Sequence, residues 1–192
     1  GEFGFKGYDE GRLTHKKNTF YDFITIAKYL CKHYTSKELL TIWGRSAGGL
    51  LISSVLNIEP DICNLAILGV PFVTPILTMK KNKNPLGFES HSEFGNPFIH
   101  ENLTYLQSYD PIPNIKNANY PNIFIYTNLN DTLVPYKEPL MYYEALQKID
   151  VFKYHKKELT LFIDPLYGHE QGFSTYQTNE SFARVIDVIL QN

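Results

Sequence analysis

Apolar residues recur along this chain in two rhythms. Between Asn18 and Tyr34 they fall at helical spacing, with Phe20, Phe23, Ile24, Ala27, Leu30, Cys31 and Tyr34 on one face. That face predicts an amphipathic helix turned to a core, and Asn18 or Thr19 offers a side chain to cap it. Four other stretches, 39–43, 65–70, 122–127 and 159–163, are short and nearly unbroken apolar runs. Such runs predict strands covered on both faces, the mark of a parallel sheet. Helix-like segments stand at 47–56, 136–148 and 179–190, the last with Phe182, Val185, Ile186, Ile189 and Leu190 as its buried stripe. This alternation predicts an α/β fold with a mostly parallel sheet and helices on both faces. Residues 1–17 are Gly-rich and charged and read as loop. Residues 71–121 are rich in Pro, Asn and Ser, and an irregular connection that long is usually functional. It is expected to carry short helices, such as 101–107, and to wall a substrate pocket.

The chemistry enters at Gly44-Arg45-Ser46-Ala47-Gly48, between the first predicted strand and the helix after it. Gly-x-Ser-x-Gly at a strand-to-helix turn is the context of a nucleophile elbow. Strain in such a turn lifts the serine hydroxyl clear, and the helix start aims free N–H groups at the same point. Side chains at 44 and 48 are expected to collide with neighbouring backbone. By composition alone, three such letters arise in roughly one chain in twenty of this length. An acid and a histidine in the right places therefore decide the matter. The run 122–127 ends in a polar loop with Asp131, and the run 159–163 ends in Asp164-Pro165-Leu166-Tyr167-Gly168-His169. Loops beyond strand carboxyl ends carry catalytic groups in open parallel sheets. The order Ser46, Asp131, His169 is that of α/β-hydrolases. His155 precedes its strand, His15 and His33 flank the first helix, and His91 and His100 lie in the long polar segment. Asp164 is the rival acid, but it stands only five residues before His169, where it suits loop shaping better. The expected roles are nucleophile for Ser46, general base and acid for His169, orienting carboxylate for Asp131, and oxyanion donor for the Ala47 N–H.

Composition narrows the classes. A chain of 192 residues with 43% apolar content suits one domain, spanning 1–192, with a real core. A net charge of −2 gives no electrostatic case for nucleic acid or an anionic membrane as partner. No run approaches a membrane span. The first residues, Gly-Glu-Phe-Gly-Phe-Lys, contain no apolar core of a signal peptide. Cys31 and Cys63 have neither metal nor redox spacing, so they read as buried, reduced residues in a cytoplasmic setting. No motif asks for a metal or other cofactor.

Several stretches together resemble the catalytic domain of the prolyl oligopeptidase family, and within it the oligopeptidase B group. Gly1-Glu2-Phe3-Gly4, Tyr8-Asp9-Glu10-Gly11-Arg12 and Lys16-Lys17-Asn18-Thr19-Phe20 resemble the segment before the nucleophile strand. Gly44 to Leu51 is similar to the active-site motif. Val70-Pro71-Phe72-Val73, Gly95-Asn96-Pro97 and Ser108-Tyr109-Asp110-Pro111 resemble later motifs. Asp131-Thr132-Leu133-Val134-Pro135-Tyr136 and Gly168-His169 match the acid and histidine regions. The resemblance implies an α/β-hydrolase fold and a cytosolic serine peptidase acting on short peptides through an acyl-enzyme. It also implies a longer parent chain, whose N-terminal β-propeller, early strands and second, tyrosine oxyanion donor precede residue 1. The isolated chain is accordingly expected to be a poor catalyst. Two family glutamates select basic P1 side chains from a segment corresponding to 85–97. Their ungapped positions hold Ser90 and Ser92, with Glu89 and Glu93 beside them as candidate substrate-binding acids. Leu133 stands where some relatives carry a substrate-gripping Arg, and Glu170 where the family favours Gly. Two rivals remain at this point: an esterase or thioesterase on the same triad, and a scaffold with an idle one.

Overall fold

The computed structural model describes residues 3–81, 90–170 and 175–191. Among them four strands form one all-parallel sheet in sequence order: β1 (Thr41–Arg45), β2 (Leu65–Gly69), β3 (Asn122–Asn128) and β4 (Leu159–Asp164). The principal helices are α1 (Gly4–Asp9), α2 (Lys17–His33), α3 (Ala47–Ile58) and α4 (Pro75–Met79). They are followed by α5 (His91–Phe94), α6 (His100–Gln107), α7 (Lys137–Leu146), α8 (Asp150–Lys153) and α9 (Thr175–Gln191).

Every residue of β2 is buried, and the strand residues divide between two faces with the period of two that strands impose. Ile42, Ala66, Leu68, Ile123 and Ile125 join Phe20, Ile24 and Ala27 of α2, Leu50 and Ile52 of α3, and Tyr142 and Leu146 of α7 in the main core. Leu65, Ile67, Phe124 and Tyr126 turn the other way and meet Val185 and Val188 of α9. Helices therefore cover both faces, the architecture of an α/β-hydrolase.

Several boundaries differ from expectation. β1 begins at Thr41, because Lys37–Leu39 closes a 3-10 turn, and runs on to Arg45, which pairs with Gly69. Parallel pairing with β2, more than local hydrophobicity, sets its ends. Residues 4–9 are helical where a loop was expected; α1 buries none of its residues, so it leaves no apolar period to read. α2 starts one residue before Asn18, and neither proposed cap serves. Thr19 Oγ1 donates to the Lys16 carbonyl at 2.8 Å and Asn18 Nδ2 to that of Glu10 at 2.8 Å. Leu30 and Tyr34 of the α2 stripe are exposed, as are Phe182, Ile186, Ile189 and Leu190 of α9, which leaves Val185 as the buried residue of that predicted stripe. Phe182 packs edge-on against Trp43 with ring centres 5.6 Å apart.

The long 71–121 connection carries α4 to α6 and is fastened to α3 by buried side chains. Asn57 Nδ2 donates to the Pro111 carbonyl at 2.8 Å, Ser54 Oγ to that of Tyr109 at 3.2 Å, and the Tyr120 hydroxyl to Asn57 Oδ1 at 3.0 Å. Two carboxyls are buried where this connection meets α7. Thr78 Oγ1 donates to Glu138 Oε1 at 2.5 Å. Burial pushes the Glu138 carboxyl above its ordinary range. Asp110 is pushed up to about 7, first by burial and then by the charge of Glu138. Asp110 Oδ1 and Glu138 Oε2 find no hydrogen-bond partner among the described residues.

Candidate active site

β1 leads into α3 through a single residue, Ser46, whose φ of 55° and ψ of −117° lie outside the regions ordinary L-residues populate. Main-chain bonds hold it there. The Ser46 N–H donates to the Gly69 carbonyl at 2.9 Å, and the Ser46 carbonyl accepts from the Phe72 N–H at 3.1 Å. The turn is thus fastened to the segment leaving β2. Gly44 and Gly49 make this close approach possible. A Cβ on Gly44 would strike the Gly48 carbonyl and Ile52, and one on Gly49 would strike Pro71. The expected collision at Gly48 does not occur, since a Cβ there has nothing within 4 Å. The second close-packed glycine is Gly49, one residue further along, because α3 turns that position toward Pro71.

The hydroxyl set out by this turn reaches a base. Ser46 Oγ lies 3.1 Å from His169 Nε2, and His169 Nδ1 lies 2.8 Å from Asp131 Oδ2. The Asp131 side chain is fully buried, and that of His169 is 12% exposed. Asp131 Oδ1 accepts the N–H groups of Leu133 at 2.9 Å and Val134 at 2.8 Å, so the carboxylate is oriented by its own loop. With Asp131 accepting from Nδ1–H, Nε2 is left as acceptor for the serine hydroxyl. Asp164 stands apart from the imidazole. Its Oδ1 accepts the Leu166 N–H at 2.8 Å and its Oδ2 pairs with Arg184 at 3.2 Å, so it shapes the loop before His169. Ala47 is exposed and heads α3, where N–H groups have no intrahelical acceptor.

The histidine loop is laced to its surroundings in a way the sequence did not signal. Leu129 N–H donates to the Asp164 carbonyl at 2.8 Å, Asn130 Nδ2 to that of Pro165 at 3.0 Å, and Asn130 N–H to that of Tyr167 at 3.3 Å. Asn128 Nδ2 takes the Gly168 carbonyl. Arg45 Nη2 takes the carbonyl of His169 itself. Polar residues at the end of a strand were the available hint, but which carbonyl each meets depends on contacts far apart in the chain.

The substrate-side acids fare differently. Glu93 is half-buried and paired with Lys16 at 2.6 Å, and the same ammonium lies 5.1 Å from the centre of the Phe94 ring. Phe94 in turn packs against Phe72. Glu89 lies outside the described residues. A cavity of about 170 Å³ under α9 is lined by residues such as Phe124, Tyr126 and Val185 rather than by Ser46 or His169. No group of three or more His, Cys, Asp or Glu side chains suited to a metal occurs among the described residues.

A parallel sheet with helices on both faces, a strained serine at the β1–α3 turn, and an acid and a histidine on later strand-end loops define an α/β-hydrolase. The sequence profile of the prolyl oligopeptidase family matches residues 1–192, and the chain belongs to that family. It is 37% identical to dipeptidyl aminopeptidase BI of Pseudoxanthomonas mexicana over 153 residues, covering 79% of this chain and 21% of that protein. It superposes on oligopeptidase B from Leishmania major with a TM-score of 0.81 at 34% identity, covering 90% of this chain and 24% of that one. Oligopeptidase B from Trypanosoma brucei, solved with covalently bound antipain, matches with a TM-score of 0.72 at 32% identity, over 91% of this chain and 25% of that one. The chain thus spans about a quarter or less of the length of these relatives.

Proposed function

We propose that this chain is the nucleophile-bearing part of a serine oligopeptidase that hydrolyses short peptides. The observation that carries this reading is the continuous hydrogen-bonded line from Ser46 Oγ through His169 to Asp131. Ser46 attacks the scissile carbonyl while His169 Nε2 takes the hydroxyl proton. The Ala47 N–H donates to the developing oxyanion. His169 then hands the proton to the leaving amine, an ester of Ser46 remains, and water, deprotonated by His169, hydrolyses that ester. Asp131 holds the imidazole in the required tautomer and stabilises its protonated form. The covalent antipain on the Trypanosoma brucei oligopeptidase B supports a nucleophilic route in the family. Selection of a basic P1 side chain is assigned to Glu89, because Glu93 is already neutralised by Lys16.

The test is a panel of arginyl and neutral peptide amides beside simple acyl esters, run on the protein at its natural length. Peptide amides should be cleaved, and Ser46→Ala should abolish cleavage. Ester turnover without amide turnover would sink the peptidase reading. An arginyl preference that survives Glu89→Gln would place P1 selection elsewhere.

A further inference from the structure

The His169 loop rests on more than its acid. Of the carbonyls from Asp164 to His169, those of 164, 165, 167, 168 and 169 each accept a hydrogen bond from outside the loop. Four of those donors come from one short stretch, residues 128–130, at the end of β3. That stretch is followed directly by Asp131, so it ties histidine to acid. It does not tie histidine to nucleophile. Arg45 does. It is the last residue of β1 and the immediate neighbour of Ser46, and its guanidinium takes the carbonyl of His169. The end of β1 with its serine turn and His169 are therefore joined twice: side chain to side chain through Ser46 Oγ, and side chain to main chain through Arg45.

From this geometry we infer that Arg45 is a positioning residue for catalysis: it fixes the His169 main chain against β1 and so sets the Ser46–His169 distance. This inference rests on the triad reading above. Three features suit Arg45 to the task. Its backbone is held by pairing with Gly69, so the guanidinium is delivered from a rigid base. Its side chain is only 29% exposed, so the bond is partly shielded from competing water. A charged donor on a carbonyl makes a stronger bond than a neutral one. Glu170, 83% exposed, approaches the same guanidinium at 3.9 Å. At that exposure it is a weak partner, which leaves the His169 carbonyl as the principal one among the described residues. Arg45 does not touch the reacting atoms, and its effect is exerted through the place of His169.

The experiment compares Arg45→Met and Arg45→Lys with the parent protein at its natural length, using one cleavable peptide amide. His169→Ala serves as reference, and unfolding midpoints are measured throughout. A base displaced by about 1 Å can cost on the order of 100-fold in rate. Arg45→Met is therefore expected to lower kcat by about that factor while KM stays within about two-fold. Arg45→Lys, which keeps one charged donor, should recover at least about ten-fold of the loss. Unfolding midpoints of both variants should agree, which separates positioning from loss of fold. Unchanged kcat in Arg45→Met beside an inactive His169→Ala overturns the inference and leaves the triad standing. So does a loss confined to KM, or an equal loss in both variants with a lowered midpoint. Full activity in His169→Ala overturns the triad reading and this inference together.

Discussion

Removing the Asp110 charge should flatten the protein's stability between pH 5 and pH 8. Asp110 is buried, one of its oxygens has no partner among the described residues, and Glu138 lies close enough to add to its burden. Its carboxyl is raised from an ordinary 3.8 to about 7. A raised acid favours folding while it is protonated, and that contribution fades as pH climbs from the unfolded value through the folded one. At about 1.36 kcal/mol per pKa unit, the full effect is roughly 4 kcal/mol above pH 7. Roughly 2–3 kcal/mol of this falls between pH 5 and pH 8. Glu138 is raised as well, so it tilts stability the same way. Asp110→Asn carries no charge at either pH. Denaturant titrations at both values, with equal m-values as the check on two-state behaviour, should show the parent losing stability toward pH 8. The Asn variant should lose roughly 2–3 kcal/mol less. Comparing slopes removes the cost or gain of the amide itself. Identical slopes in the two proteins would show that Asp110 ionises in the folded state as readily as in the unfolded one, and would refute the argument.

Other outcomes follow from the site. Asp131→Asn should lower kcat on the order of 10⁴-fold by stabilising the wrong imidazole tautomer, whereas Asp164→Asn should not. A comparable loss in Asp164→Asn would show that the Arg184-linked acid matters as much to His169. Gly49→Ala should destabilise by about 1–3 kcal/mol through its collision with Pro71. Gly48→Ala, with open space around its Cβ, should be neutral or stabilising by up to about 1 kcal/mol in the same denaturation assay.

The sheet was legible because β2 is wholly buried and β3 largely so, and continuous apolar runs record that directly. Strand ends were less so. The extension of β1 through Gly44 and Arg45 depends on a partner strand and not on the local sequence. α1 left no trace, since a helix that buries nothing has no period. The placement of Asp131 and His169 on strand-end loops could be read from chain order, and the structure brings His169 to Ser46 and Asp131 to His169. Their supports could not be read. Arg45 meets His169 across 124 positions and Asn128 meets Gly168 across 40, and no spacing rule anticipates such pairs. Glu93 looked available to a substrate because Lys16 lies 77 residues away in sequence and 2.6 Å away in space. The burial of Asp110 and Glu138 left no signal in the sequence either.

Ser46 and His169 stand 123 positions apart, so the strained serine turn and the base belong to separate parts of the chain. β2, which holds that turn by its backbone, follows soon after. The base lies on the loop after β4. On the triad reading proposed above, an opening that frees this loop from residues 128–130 and from Arg45 leaves the serine with no group to take its proton. A partly opened chain therefore keeps its strained serine turn while losing the base proposed to serve it.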